Sequence, residues 1–176
     1  MNVLLKSASI LAHRLWKEER QSVAYFKVLA YKAGAVHLKA YLQSSLPDLR
    51  KAVERLQSLL DELPPESEGN TAGIKGIMSD GLERIESNVS ATVKNEVALQ
   101  TTILLTRHKL GSYQLLLHYL QLLKEEYAVN VVQTLINEAE NTLQRFIQLL
   151  DSDTFAEGID VFPVTSTTKS ANLAVL

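Results

Sequence analysis

The amino-acid sequence predicts an all-α protein: a four-helix bundle with a short extra helix in its crossover and an extended C-terminal tail. Three observations support this fold class. Apolar residues recur at the 3.6-residue period of an α-helix through most of the chain. Only seven glycines and four prolines interrupt its 176 residues. Four long helical segments are separated by one clear linker, which is the element order of a bundle with a crossover.

The first half of the chain predicts two long helices and a linker. Helix one is expected from about Ser7 to Lys32, because Gly34 is a typical C-terminal stop signal. Helix two is expected from about Val36 to Leu60. Pro47 lies inside it, removes one backbone hydrogen bond and predicts a kink. The stretch ELPPESEGN, residues 62–70, is a linker because two adjacent prolines cannot continue a helix.

The second half predicts a short helix, two long helices and a tail. The short helix is expected from about Thr71 to Ser87, helix four from about Ala91 to Glu125, and helix five from about Val129 to Leu150. Residues 1–150 are therefore assigned to the bundle and 151–176 to the tail. The segment from Phe155 to Ser166 is unusually apolar for a free tail, so we expect it to dock on its own bundle or on a dimer mate.

The composition excludes several classes of function. The net charge is −2, so the chain as a whole attracts neither phosphate backbones nor anionic lipids. No apolar run approaches the roughly 20 residues of a membrane span. No cysteine is present, which excludes disulfides, thiolate catalysis and cysteine-ligated metals. Lys6 and His13 interrupt the N-terminus before a signal-peptide core. We expect a cytoplasmic protein without nucleic-acid or membrane partners.

An unusual polar turn, Thr106-Arg107-His108-Lys109, lies in the leucine-rich helix four. The apolar seam of this helix is predicted at Leu99, Ile103, Thr106, Leu110, Tyr113, Leu117 and Leu120. Thr106 lies on that seam and Lys109 flanks it, whereas Arg107 and His108 turn away. His108 and His118 are interpreted as surface residues.

Acidic residues fall on or beside the inner faces of the other helices. The predicted stripe of helix one, with spacings of four and three, is Ala8, Ala12, Leu15, Glu19, Ser22, Phe26 and Leu29. It buries Glu19, and a buried carboxylate requires a partner. A slightly rotated stripe through Leu11, Leu15 and Val23 would leave Glu19 at the edge.

Helices two and five carry the other acids. The stripe of helix two is Leu42, Leu46, Leu49, Val53, Leu56 and Leu60, flanked by Ser45 and Asp48. Helix five has Val131, Leu135, Glu138, Thr142 and Leu149, with Glu138 on or beside its inner face. The alternative for Asp48 and Glu138 is an exposed flank beside a lysine or arginine.

Five segments match short motifs in a fixed order. In helix one, LWKEERQ (15–21) is similar to Leu-Tyr-x-x-Glu-x-Gln; in helix two, LKAYLQSSLPDLRKAVERL (38–56) is similar to a segment that begins Leu-Lys-Ala and ends Val-Glu-Arg-Leu. GIMSDGLERI (76–85), GSYQLL (111–116) and QTLINEAENTL (133–143) are similar to Gly-Leu-x-x-Glu-Gly, Ala-Ser-Tyr and Glu-Thr-Leu-x-x-Glu. Together they resemble the YciF-type ferritin-like family, a bacterial stress-associated group of four-helix bundles, and the resemblance implies a ferritin-like bundle.

The resemblance also implies a two-metal carboxylate site, which this sequence retains only in part. The matching acids are Glu19, Asp48 (a glutamate in the family) and Glu138. The family's histidine in helix two falls on Ser45, and its Glu-His-Tyr-Glu cluster falls on residues 106–109, where both acids are lost. No histidine of the chain has an acid three residues before it, so the sequence contains no Glu-x-x-His pair.

A lysine in place of a ligand predicts an internal ion pair. We expect Lys109 to pair with Glu19 or Glu138, in a site where a di-metal centre would need several anionic oxygen ligands. The favoured interpretation is a metal-free, non-catalytic ferritin-like bundle without a cofactor. It would be a homodimer with a structural or interaction role in stress physiology. The alternative is an iron or manganese metalloprotein that uses Glu19, Asp48 and Glu138 for oxidase or peroxide-handling chemistry.

Overall fold

The computed structural model describes residues 2–65 and 71–150, which form five α-helices. They are α1 (Val3–Lys32), α2 (Val36–Glu62), α3 (Ala72–Ser87), α4 (Ala91–Leu123) and α5 (Glu126–Leu150). The predicted all-α bundle with a short crossover helix is confirmed. Helix ends differ from the predicted ones by at most four residues. The tail segment from Phe155 to Ser166 lies outside the described residues.

Local capping explains where the helices begin and end. Asn2 precedes α1 in an extended conformation, and its side chain accepts a hydrogen bond from the Leu4 amide at 3.0 Å. Lys124 adopts a left-handed conformation (φ 60°) and closes α4 two residues earlier than expected. Because the connection is so short, α5 begins already at Glu126. Helix α2 continues through Pro47.

The long helices form an antiparallel arrangement. Helix α1 packs on α2 and α4, and α5 packs on α4 and α2. The Asn95 side chain of α4 accepts hydrogen bonds from the amides of Gly34 and Ala35, so the start of α4 holds the α1–α2 turn. Since α2 and α4 both run antiparallel to α1, the chain must return along the bundle between them. Helix α3 lies in this return and packs on α4.

Two apolar clusters fill the bundle, and a polar layer lies where they meet. The first cluster includes Phe26 and Phe146, whose rings meet edge to face at 6.1 Å between centroids. The second includes Leu15, Leu56 and Leu116. The buried polar side chains near the middle of the bundle are Glu19, Ser22, Ser45, Thr102, Thr106 and Lys109. Burying these groups requires hydrogen-bond or charge partners, which places the candidate site here.

The predicted inner faces are correct for α1 and incomplete for α4. The stripe predicted for α1 is buried throughout, including Glu19. In α4, five of the seven predicted seam residues are buried, and only Leu110 and Leu117 are half-buried. Lys109, predicted to flank the seam, and Leu116 are buried as well, because α4 packs against α1, α3 and α5 and its buried face is wider than one stripe. No helix within residues 2–65 and 71–150 is long and apolar enough to cross a membrane.

Candidate functional site

The polar layer contains a small, partly open cavity of about 30 Å³. Its lining includes Glu19, Asp48, Thr106, Lys109, Tyr113 and Glu138. The structure thus brings together all three acids that the sequence analysis selected, from α1, α2 and α5. A space of this size accommodates about one water molecule, and only a small polar species fits without movement of the side chains.

Glu19 is the centre of the layer, and both of its carboxylate oxygens accept hydrogen bonds. The Lys109 ammonium donates to Oε2 at 2.9 Å, and the Tyr113 hydroxyl donates to Oε1 at 2.5 Å. The predicted pairing of Lys109 is therefore confirmed, with Glu19 rather than Glu138 as its partner. Burial, followed by the negative charge of Glu19, raises the pKa of Tyr113 well above its usual value. Tyr113 consequently stays a hydrogen-bond donor at physiological pH.

Glu138 and Asp48 stand at the edge of the cavity, and each faces a cation. The guanidinium of Arg55 on α2 donates a hydrogen bond to Oε2 of Glu138. The Lys51 ammonium lies 3.8 Å from Oδ1 of Asp48, one turn along the same helix. Both carboxylates are partly exposed, as in the alternative that placed them on a flank beside a lysine or arginine.

The small polar side chains of the layer form hydrogen bonds within their own helices. The Ser45 hydroxyl donates to the Tyr41 carbonyl at 2.9 Å, and the Thr106 hydroxyl donates to the Thr102 carbonyl at 2.8 Å. Serine and threonine hydroxyls inside a helix commonly donate their hydrogen bond in this way, to a carbonyl one turn earlier. Ser45 and Thr106, which the resemblance matches to ligand positions of the family, therefore need no external partner.

This donor set does not fit a pair of divalent metal ions. Each of the three acids is matched by a positive side chain, and the Lys109 ammonium itself lines the cavity. Two divalent ions require several anionic oxygens, so a cation at the centre opposes their binding. Within the part of the chain that the structure describes, no three histidine, aspartate or glutamate side chains are grouped as metal ligands. The assignment of Glu19, Asp48 and Glu138 as ligands stays a prediction of the alternative function.

A second buried carboxylate, Glu18, lies beside the first in sequence and faces α4. Its side chain is 1% exposed, and Oε1 lies 3.5 Å from Nε2 of His108 and 3.6 Å from Nε of Arg14. Burial raises the pKa of Glu18, and the positive charges of His108 and Arg14 partly oppose this. His108, expected at the surface, is 33% exposed, and its ring lies between Glu18 and Gly73 of α3. His118, in contrast, is exposed as expected.

Two functional contacts were missed by the sequence reasoning. Tyr113 was placed on the seam of α4 but not recognised as a donor to Glu19. The signal was present, since Tyr113 follows Lys109 by four residues and shares its face. The contact between Glu18 and His108 had no comparable signal. It joins α1 to α4 between residues 90 positions apart, and only the packing of these two helices brings the side chains together.

These features define a class: an all-α bundle of four long helices with a polar layer at mid-height and a short helix in its crossover. The chain belongs to the family described as "Domain of unknown function (DUF892)", whose profile matches residues 14–157. The YciF-type resemblance is thereby confirmed. No curated protein sequence matches the chain significantly.

Two solved structures are similar to this chain. The E. coli stress protein YciF superposes with a TM-score of 0.81 at 16% identity, over 89% of this chain and 99% of that one. YcfI from Rhodopseudomonas palustris, for which a structural role has been suggested, gives a TM-score of 0.72 at 20% identity, over 78% and 90%. At these identities the likeness shows a shared fold.

Proposed function

We propose that this chain is a non-catalytic ferritin-like bundle with a structural or interaction role in stress physiology. The observation that carries the proposal is the ion pair between Lys109 and Glu19 in the polar layer. In a metal-binding relative, the charge of the acids is neutralised by metal ions. Here the chain supplies its own cation, and the central carboxylate is satisfied without a cofactor.

A buried ion pair of this kind contributes more to the specificity of the fold than to its net free energy of unfolding. Desolvating both charges offsets most of their attraction, so a hydrophobic pair of similar volume could be equally stable. The pair does, however, strongly disfavour any sliding of α1 along α4, because that would leave two buried charges unpaired. We therefore interpret the layer as a register lock between these helices, which suits a protein that acts through a rigid surface.

The link to stress physiology is supported by the relatives. The similar E. coli structure is that of a stress protein, and a structural role has been suggested for the Rhodopseudomonas palustris one. Both descriptions are compatible with a bundle that has lost its catalytic ligands. The cytoplasmic location expected from the sequence stays a prediction.

A second candidate function is an iron or manganese protein with oxidase or peroxide-handling activity. One observation favours it: Glu19, Asp48 and Glu138 all line the same cavity. For metal to bind there, Lys109 and Arg55 would have to release Glu19 and Glu138. Metal binding would thus compete with two ion pairs already formed within the protein.

Elemental analysis of protein purified without chelators, followed by anaerobic Fe(II) titration, separates the two functions. We expect far less than one metal ion per chain and no change in melting temperature on adding iron. A ligand that binds only the folded state raises its stability, so tight binding would be seen as a rise in melting temperature. About two tightly bound ions per chain would overturn the proposal in favour of the metalloprotein.

A further inference from the structure

We propose that the end of the bundle where α1 begins and α2 ends binds a small organic cation, an ammonium group carried on an apolar body. The site, called here the end cavity, has a volume of about 460 Å³ and lies between Leu5 of α1, Leu59 of α2 and Tyr127 of α5. About 21 Å of α1 separates Leu5 from Glu19 of the polar layer. The inference therefore goes beyond the proposed function and does not depend on it.

Apolar side chains form much of the lining of the end cavity. Leu59 of α2, Leu63 just after α2 and Ala128 of α5 all line it, and all three are buried. They belong to the second apolar cluster of the bundle, on which Leu5 also packs. The volume lies within the range of about 300–1,000 Å³ that is typical of small-molecule sites, which are mostly apolar with a few polar groups. The end cavity therefore has the size and the apolar lining of such a site.

The two segments that border the cavity are fixed by hydrogen bonds. The Ser9 hydroxyl donates to the Pro64 carbonyl at 2.5 Å, which ties the segment after α2 to α1. On the other side, the Glu125 amide donates to the Leu120 carbonyl at 3.1 Å, and the Glu125 carbonyl accepts from the Val129 amide at 2.9 Å. Both Pro64 and Glu125 line the cavity. Because these segments are already held in place, binding a ligand costs little ordering of the chain.

The polar part of the lining selects a positive charge. It includes the carboxylates of Glu62 and Glu125, and no lysine, arginine or histidine of the described residues lines the cavity. Neither carboxylate forms an ion pair within residues 2–65 and 71–150. The Tyr127 ring also lines the cavity and is 59% exposed, so its face is available for a cation–π contact. Such a lining attracts a cation and repels an anion.

Other occupants match this lining less well. The sequence that follows Pro65 is Glu-Ser-Glu-Gly-Asn (66–70), which offers two acids and neither an apolar nor a basic side chain. Helix α5 ends at Leu150, about 35 Å from Tyr127, and the C-terminal tail follows from that far end. An inorganic cation would use the carboxylates but leave the apolar lining in contact with water. An organic cation matches both parts of the lining.

An NMR titration of the isotope-labelled full chain with phenethylammonium tests the site. We expect saturable shifts of the backbone amides of Leu63, Glu125 and Tyr127 at about millimolar concentrations of this small probe, and no shift of the Lys109 amide in the polar layer. Phenethyl alcohol is the matched control ligand, because it has the same apolar body and no charge. It should bind at least about tenfold more weakly, since it forms neither of the two partly solvated charge contacts.

Three variants test which carboxylates bind the ammonium group. Glu62→Gln and Glu125→Gln should each weaken the binding of phenethylammonium by about fivefold, which is the effect of losing one partly solvated ion pair. Glu126→Gln is the matched control, because Glu126 follows Glu125 in the chain and is also exposed but does not line the cavity. It should change the affinity by less than about twofold, since solvent and salt screen a more distant charge. All three side chains are exposed, so the variants should fold.

Several results would overturn the inference. One is a titration without shifts around the end cavity, and another is equal binding of phenethyl alcohol and phenethylammonium. Equal weakening in all three glutamine variants would show only a general attraction to the acidic end of the bundle. Displacement of phenethylammonium by millimolar magnesium would assign the carboxylates to an inorganic cation instead.

Discussion

The Lys109 ammonium lies 2.9 Å from Oε2 of Glu19 at the centre of the bundle, where the two side chains are 3% and 2% exposed. The same distance separates Lys32 from Glu86 at the surface, where the side chains are 30% and 61% exposed. The N–O distances of the two ion pairs are equal, but the Lys109–Glu19 pair is buried and Glu19 also accepts a hydrogen bond from Tyr113. The surface pair is therefore a reference for an ion pair that water screens.

Lys109→Met should destabilise the protein strongly. The substitution leaves the Glu19 carboxylate buried without its counter-charge, and breaking a buried pair in this way costs about 3–5 kcal/mol. Urea unfolding followed by circular dichroism measures the free energy of unfolding. Lys32→Met is the matched control, for which a loss of at most about 1 kcal/mol is expected because water screens the surface pair.

A double-mutant cycle with Glu19→Gln tests whether the two residues act on each other. Lys109→Met leaves the Glu19 carboxylate unpaired, and Glu19→Gln removes that negative charge. The double variant should therefore lose much less stability than the sum of the losses in the two single variants. Simple additivity of the two losses would show that the pair is not coupled, and the register-lock interpretation would fail.

Glu18→Gln should raise the melting temperature at neutral pH. Because the pKa of Glu18 is raised above its ordinary value of 4.5, its ionised form is disfavoured in the folded state. The stability that Glu18 contributes is present in full below pH 4.5 and is lost as the pH rises through the folded-state pKa. The amide avoids this loss, so the advantage of the variant should be largest at neutral pH and shrink on acidification.

Melting curves between about pH 4 and pH 8 measure this difference for the wild type and Glu18→Gln, a range that brackets the ordinary glutamate pKa. Glu19→Gln is the control, since it replaces the next residue, which is similarly buried but whose two carboxylate oxygens accept hydrogen bonds from Lys109 and Tyr113. It should lower the melting temperature at neutral pH, because Lys109 loses its partner. A Glu18→Gln variant less stable than the wild type at neutral pH would show that His108 and Arg14 outweigh burial.

Gly81→Ala should destabilise the packing of α3, although alanine is the better helix former. A Cβ atom at Gly81 would lie 2.5 Å from the Tyr25 hydroxyl and 2.6 Å from Oγ1 of Thr101. Overpacking of this kind costs about 1–3 kcal/mol. Gly76→Ala in the same helix meets nothing within 4 Å, so it should stabilise by roughly 0.5–1 kcal/mol. Chemical denaturation of both variants gives the comparison, and two stabilised variants would show that α3 can move away from α1 and α4.

The sequence predicted the inner face of α1 more completely than that of α4. In α1 the long stripe with regular spacing placed Glu19 inside correctly. In α4 most of the predicted seam is buried, but the buried face is wider than that stripe and includes Lys109, which was predicted only to flank it. The partner of Glu138 was expected to be a lysine or arginine, but Arg55 is 83 residues away and only the fold brings it near.

At residues 106–109 the resemblance implies two glutamates that this chain lacks. The double variant Thr106→Glu/Lys109→Glu removes the internal cation and introduces both acids beside Glu19, Asp48 and Glu138. Five carboxylates around a cavity of about 30 Å³ repel one another, so the metal-free variant should be less stable than the wild type. Divalent manganese should then raise its melting temperature, because hard cations are bound by carboxylate oxygens. The wild type, with Lys109 in place, should show no rise under the same conditions. A variant that folds at low temperature yet gains no stability from manganese would mean that Ser45, in the position of the family's histidine, prevents metal binding by itself.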